Sequence, residues 1–431
     1  MTAAAQRGRG AVTTRLELFI GKGGVGKTTL ACAAAIAAVQ AGQRVLVASI
    51  DQAHSLGDAL GFRFAHDPGT VAGVATVAPG FDVIEIDSLA LLEDRFREVV
   101  RMIGGAGHDH GIDLAALDPA ELTGLPGVQE LLALSEIAQF AGEDDWDLII
   151  VDCPPSADML RIVTAPDTLL GYLERVWPQH ARMMSATGTD LRRAVLASTI
   201  ERIAAAVTAI RDLLADPHRT GARLITGPER VALAESARVR SAAALLGMRL
   251  DAVVVNKVLP PVPEGPPHPA VQWYVQRRAE QLDVIAELRR RMPDVPVTIA
   301  HHSGPEPVGP RALAALAQAL PVRGNPPAPA ADPMLGDAMP EQGGAAGAPE
   351  VRWESGTGLE SVFTLRLRLP VVDPGTLRLG RVEDDVIVGA DGVRRRLRLA
   401  PVLRRCTVDD AELVDGQLVV RFRPDPRVWP Q

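Results

Sequence analysis

Hydrophobic residues follow two different rhythms along this chain. Up to about residue 320 they gather in short, nearly unbroken runs, such as Leu16-Glu17-Leu18-Phe19-Ile20, Val45-Leu46-Val47-Ala48-Ser49-Ile50, Leu148-Ile149-Ile150-Val151 and Ala252-Val253-Val254-Val255. Runs of that length and content predict strands buried on both faces of a parallel sheet. Strands are expected over 15–20, 44–50, 81–87, 147–152, 222–226, 252–257 and 296–300. Helices are expected over 28–40, 90–102, 129–141, 157–215, 229–247, 270–291 and 312–320. Gly171, Pro178 and Thr187-Gly188-Thr189 are expected to break the longest of these. Strand, helix, strand at this spacing is a βαβ unit with a right-handed crossover.

Near the end the period becomes two. Phe363, Leu365, Leu367 and Leu369 alternate with Thr364, Arg366 and Arg368, and Leu418, Val420 and Phe422 alternate likewise after the turn signal Asp415-Gly416. That pattern predicts a small antiparallel β-sandwich. Between the two rhythms, 322–352 is dominated by Pro, Ala and Gly and cannot bury enough apolar surface to order itself. The expected layout is a frayed tail at 1–14, an α/β domain at 15–321, a linker at 322–352 and the sandwich at 353–425.

One stretch carries the chemistry. Gly21-Lys22-Gly23-Gly24-Val25-Gly26-Lys27-Thr28-Thr29 follows the first strand and opens the first helix, fitting G-x-x-x-x-G-K-[ST] in its required context. Glycines let the loop aim backbone N–H groups at phosphates, and the helix start at Thr28-Thr29 adds the positive end of its dipole. Lys27 is expected to reach the β- and γ-phosphates and the Thr28 hydroxyl to ligate Mg²⁺. The strand ending at Asp152 puts a carboxylate at the position that holds the Mg²⁺ shell in P-loop proteins. The fold class is therefore α/β: a P-loop NTPase with a mostly parallel sheet flanked by helices, plus the C-terminal antiparallel sandwich.

Composition sharpens this. Lysine occurs only at 22, 27 and 257 among 45 Lys+Arg residues, so two of three lysines sit in the loop. A compact ammonium among phosphate oxygens does work that a planar guanidinium does poorly. The formal net charge of −8 argues against general nucleic-acid binding. The three cysteines, Cys32, Cys153 and Cys406, show no C-x-x-C spacing, which excludes a disulfide framework and a cluster-binding reductase. His108-Asp109-His110 lacks the further ligands of a metal site. No apolar run reaches the ~20 residues of a membrane span, and no signal peptide is visible, so a cytoplasmic location is expected.

Several pieces together resemble one family. Gly21-Lys22-Gly23-Gly24-Val25-Gly26-Lys27-Thr28 is a deviant Walker A, with an extra lysine after the first glycine. Asp51-Gln52-Ala53-His54-Ser55-Leu56 resembles the family's first switch, Asp152-Cys153-Pro154-Pro155-Ser156 with Leu160-Arg161 its second, and Glu306-Pro307-Val308-Gly309 its closing segment. The chain over 15–321 thus resembles the ArsA-like ATPases, the family of arsenite-pump and tail-anchored-protein targeting ATPases, within the wider MinD and ParA group. The sandwich resembles the α-crystallin-like domain appended to some bacterial members.

The resemblance implies a homodimer that binds ATP with Mg²⁺ and handles a protein client or membrane partner. Lys22 would reach the partner subunit's nucleotide, Asp51 would orient or deprotonate the attacking water, Asp152 would hold Mg²⁺ through water, and Asn256 would bond the adenine edge. Asn256-Lys257-Val258-Leu259 lacks the acid of guanine-specific N-K-x-D sites, so ATP is expected over GTP. Gln52 replaces the usual proline, and Ser156-Ala157-Asp158 stands where T-G-H is common. The alternatives are an arsenite/antimonite efflux-pump ATPase, which calls for paired thiols, and a MinD/ParA-like positioning ATPase, which calls for a basic amphipathic C-terminal helix.

Overall fold

A computed structural model describes residues 13–51, 55–63, 73–104, 128–186, 191–262, 268–318, 320, 349–369, 372 and 374–429. Outside them lie residues 1–12 of the expected tail, Gln52, the His108-Asp109-His110 cluster, Thr187-Gly188-Thr189 and nearly all of the expected linker. The chain forms two compact units, residues 1–220 with 303–330, and residues 221–302 with 331–431.

The first unit contains β1 (Arg15–Gly21), α1 (Lys27–Gln40), β2 (Val45–Ser49), α2 (Leu56–Leu60), β3 (Ala75–Ala78), β4 (Phe81–Glu85), α3 (Ser88–Gly104), α4 (Val128–Phe140), β5 (Leu148–Asp152), α5 (Ser156–Val176), α6 (Gln179–Ala186) and α7 (Leu191–Ala215). Its strands run in the order β3-β4-β2-β5-β1. All pair in parallel except β3, which is antiparallel to β4. Every residue of β2 and β5 is buried, as their unbroken apolar runs require. The shared register sets Glu85 of β4, Ser49 of β2, Asp152 of β5 and Phe19 of β1 in one row across the strand ends. Beyond β2, Glu85 and Ser49 are therefore neighbours, and so are Ser49 and Asp152.

Several sequence expectations change here. β3 was not anticipated: its four residues, Ala-Thr-Val-Ala, are only half-buried or exposed, and an edge strand so short carries no long apolar run. β4 stops at Glu85 rather than 87, because Asp87 turns to accept the Leu89 and Ala90 amides at 2.9 and 3.1 Å. Gly171 does not break the helix: α5 passes through both Pro166 and Gly171 and ends before Pro178, which disfavours helix in the residue preceding it. Thr14 is no part of a frayed tail, since it is fully buried with its hydroxyl donating to the Trp146 carbonyl at 2.7 Å.

The second unit begins with β6 (Thr220–Thr226), α8 (Val231–Leu246), β7 (Leu250–Val258), α9 (Pro269–Arg291) and β8 (Val297–His301). The strands are parallel in the order β6-β7-β8. The chain then returns to the first unit for α10 (Pro310–Ala317), shorter than the expected 312–320, which packs against α1.

The C-terminal part of the second unit holds β9 (Glu350–Ser355), β10 (Val362–Arg368), β11 (Arg378–Val382), β12 (Asp385–Ala390), β13 (Val393–Arg398), the single turn α11 (Pro401–Arg404), β14 (Cys406–Val414) and β15 (Gln417–Pro424). They form antiparallel sheets in the orders β14-β15-β10-β9 and β11-β12-β13. Asp415 and Gly416 both have positive φ, 49° and 70°, as a two-residue hairpin turn demands. Leu365, Leu367, Val386, Val388, Leu397, Leu418, Val420 and Phe422 form one core. Thr364 departs from simple alternation, being fully buried although it faces away from Leu365.

That core also contains Ala244 and Leu245 of α8. Ser241 donates to the Asp391 carboxylate, and the Arg395 guanidinium donates to the Leu245 carbonyl. α8 thus supplies part of the interior of the C-terminal sheets.

Candidate active site

The phosphate loop is shaped by its glycines where it meets α1. Gly26 has φ 90° and ψ 34°, a left-handed conformation that side chains disfavour, and its carbonyl accepts the Leu30 amide at 3.0 Å to start the helix. Gly24 has φ 79° with open space around it. A Cβ on Gly23 would sit 3.9 Å from Cγ of Pro155, so the loop runs beside the segment after Asp152. Gly23, Gly24 and Lys22 are exposed, Val25, Thr28 and Thr29 are half-buried, and Gly21 and Lys27 are buried. Lys27 folds back along the loop, its Nζ donating to the Lys22 carbonyl at 3.2 Å. This curls the loop around a cationic centre.

Thr28 and Asp152 are brought together from residues 124 positions apart: Oγ1 of Thr28 donates to Oδ2 of Asp152 at 2.7 Å. Ser49 Oγ approaches the same oxygen at 3.4 Å and also faces the Asp51 amide at 3.4 Å. Ser55 Oγ lies 3.0 Å from Thr28 Oγ1. Asp152 has no solvent exposure, and its Oδ1 is buried without a hydrogen-bond partner. Burial pushes its carboxyl up to about 6; Thr28, Lys27 and Ser49 hold it down, while the nearby Asp51 charge pushes further up.

An orphaned carboxylate oxygen on a carboxylate bonded to the Thr28 hydroxyl, with the Ser49 and Ser55 hydroxyls close by, fits Mg²⁺. That ion takes few protein ligands and fills its remaining positions with water and phosphate oxygens. Among the described residues no cluster of three or more His, Cys, Asp and Glu offers a rival metal site.

The sequence-expected residues are therefore partly assembled. Lys22, Lys27, Thr28, Asp51 and Asp152 share the first unit, and all but Lys22 are linked through hydrogen bonds or charge around Asp152. Asn256 belongs to the second unit, in β7, where its Oδ1 accepts the amide of Lys257 at 2.9 Å and Lys257 takes a left-handed φ of 61°. The segment Glu306-Pro307-Val308-Gly309 returns to α2, the helix that opens at the end of the Asp51–Leu56 stretch: Gly309 N–H donates to the Ala59 carbonyl at 2.9 Å.

Three participants were not singled out from sequence. Ser55 lies in the stretch that resembles the first switch but was given no role of its own, and the spacing of Ser49 gives no reason to prefer it over any other serine. Glu85 ends a strand as Asp152 does, and its Oε1 accepts the amides of Leu56 and Gly57 at 3.1 and 3.2 Å.

The cysteines are poorly disposed for chemistry. All three are buried and free. Burial and the Asp152 charge push the Cys32 and Cys153 thiols up, and burial does the same for Cys406. Such thiols hold their protons and react slowly.

A glycine loop entering a helix, a lysine turned into it and a paired Thr–Asp at the neighbouring strand end define a P-loop nucleotide-binding protein. Residues 14–322 match the anion-transporting ATPase family, ArsA, and residues 360–422 match the HSP20-like domain found in ArsA. Protein Rv2184c of Mycobacterium tuberculosis is 45% identical over 96% of this chain and 97% of its own length. An Aquifex aeolicus protein, whose name proposes it as an arsenical pump-driving ATPase, is 25% identical over 94% of this chain and 99% of its own. ATPase GET3 of Candida glabrata is 30% identical over 57% of this chain and 73% of its own. The chain belongs to the ArsA family of ATPases, in which nucleotide binding is implied, and carries that family's HSP20-like domain. Among the described residues no helix is long and apolar enough to cross a membrane.

Proposed function

We propose that this chain is a Mg²⁺-dependent ATPase that closes as a homodimer on ATP and handles a protein client. The observation that carries the reading is the Thr28–Asp152 pair, with one carboxylate oxygen engaged and the other buried and unpartnered. Thr28 and Asp152 would hold the ion, which when bound neutralises charge on the β- and γ-phosphates. Lys27 and the loop amides of Gly21 to Thr29 bind the phosphate chain. Asp51, tied through the Ser49 hydroxyl to the same centre, orients the attacking water and receives its proton. Asn256 would hydrogen-bond the adenine edge.

Lys22 supplies the second cation. It is exposed on the loop while Lys27 is buried in it, so it is free of the constraint that holds Lys27 inside and is suited to reaching a partner's γ-phosphoryl. This sequence contains one phosphate loop, and a composite site then needs two chains. The domain layout follows: an ATPase domain at 15–321, a linker at 322–352 and the HSP20-like sandwich at 353–425, in a cytoplasmic protein without a nucleic-acid ligand.

An Asp51→Asn chain, incubated with ATP and Mg²⁺ and examined by sedimentation, tests the switch. A dimer that persists with ATP and dissolves with ADP supports it, and a nucleotide-independent state contradicts it.

A further inference from the structure

In the cross-strand row that holds Asp152, a second acid stands two strands away. Glu85 stands opposite Ser49, and Ser49 opposite Asp152, so the three side chains leave the same face of the sheet at the strand ends. The short segment Ser55-Leu56-Gly57 is held from both of these acids. On one side Ser55 Oγ meets Thr28 Oγ1 at 3.0 Å, and Thr28 donates to Asp152. On the other, Oε1 of Glu85 accepts the Leu56 and Gly57 amides, the first two N–H groups of α2, which no helical carbonyl can satisfy. A charged acceptor at a helix start is favoured by hydrogen bonding and by the dipole alike. α2 is fixed at its far end too, where Ala59 accepts from Gly309.

We infer that Glu85 is a positioning residue of the first switch: by gripping the start of α2 it fixes where Ser55 sets its hydroxyl against Thr28. The inference rests on the ATPase reading above, because the Thr28–Asp152 pair is the proposed magnesium position. Glu85 itself touches neither nucleotide nor ion in this account. Its effect is on the geometry of the catalytic step and on magnesium use, leaving the phosphate loop's grip on nucleotide alone.

The test compares full-length wild type, Glu85→Ala and Glu85→Gln, measuring ATP hydrolysis across a magnesium titration and ATP affinity in EDTA. Glu85→Ala should lower kcat by about tenfold or more and raise the magnesium needed for half-maximal rate, with metal-free ATP affinity within about twofold of wild type. Glu85→Gln keeps an acceptor oxygen in the same place and should recover most of the rate. Hydrogen exchange over 55–60 gives a second readout, with faster exchange expected in Glu85→Ala and near wild-type protection in Glu85→Gln. Glu85→Asp, which withdraws the acceptor by one methylene, should show the same losses of rate and protection in milder form, and wild-type rate and protection in it would overturn the inference where Glu85→Ala does not fold. Wild-type kcat and wild-type protection in Glu85→Ala would overturn the inference and leave the ATPase reading standing. Absence of hydrolysis in the wild type would overturn both.

Discussion

Thr28 donates its hydroxyl hydrogen to one oxygen of Asp152 at 2.7 Å, while the other oxygen of the same carboxylate is buried with nothing to bond. A fold tolerates a half-satisfied buried carboxylate at a cost, and here burial registers as a carboxyl pushed up to about 6.

An acid whose pKa is higher folded than unfolded binds its proton more tightly in the native state. Without metal, native stability from this group is therefore largest below about pH 4 and is lost as pH rises to about 6. The loss is on the order of 3 kcal/mol for a shift of about two units. Asp152→Asn cannot ionise, so in EDTA its thermal midpoint should exceed that of wild type at neutral pH and converge with it near pH 4. Equal midpoints at both pH values would contradict the account. Magnesium with ATP should raise the wild-type midpoint by more than that of Asp152→Asn, whose loop still holds nucleotide but whose ion site is weakened.

Lys22→Ala should abolish hydrolysis, by about a hundredfold or more, with a modest loss of ATP binding, because a cation acting on the transferring phosphoryl matters most in the transition state. Mixing Lys22→Ala with a chain lacking Asp51 should restore part of the rate if each site is completed by its partner. Near-normal turnover in Lys22→Ala alone would remove the cross-subunit role.

Leu245→Ala should disturb the C-terminal sheets although it lies in α8. Leu245 is fully buried in their core, and a large-to-small change there costs about 2–5 kcal/mol. Faster hydrogen exchange across β12 and β13 is expected. A change confined to α8 and its flanking strands would mean that the sheets form their core without it.

Thiol chemistry should be silent. With all three cysteines buried and their thiols pushed up, a disulfide reagent should titrate them slowly in native protein and promptly in denaturant. Hydrolysis should be indifferent to arsenite and antimonite. A several-fold stimulation would favour the pump reading that the Aquifex aeolicus relative's name suggests.

Much of this was legible in the chain itself. β1, β2, β5 and β7 announce themselves because strands buried on both faces leave no room for polar alternation, and the glycines and lysines of the loop have few other uses in that context. The short edge strand β3 leaves no such trace. Pro166 and Gly171 look like helix breakers but are carried by α5, whose neighbours α4 and α7 pack against it and override local propensity. Glu85 was invisible because its value comes from register with Ser49 and Asp152, which exists only once three strands are side by side. The use of α8 by the C-terminal sheets was equally hidden: an alanine-rich helix reads the same whether it serves one core or two, and the Pro- and Gly-rich segment before the sheets suggested a loose tether.

In the proposed mechanism the Gly21–Thr29 loop and Asp152 together make this chain a magnesium-dependent ATPase. The most direct measurement is phosphate release from ATP by the purified full-length chain, compared with Lys27→Ala and Asp152→Asn and repeated in EDTA. Magnesium-dependent turnover is expected in the wild type, abolished in both variants and in EDTA. Turnover that survives Lys27→Ala and Asp152→Asn, or a wild type that neither binds nor hydrolyses ATP, would contradict it.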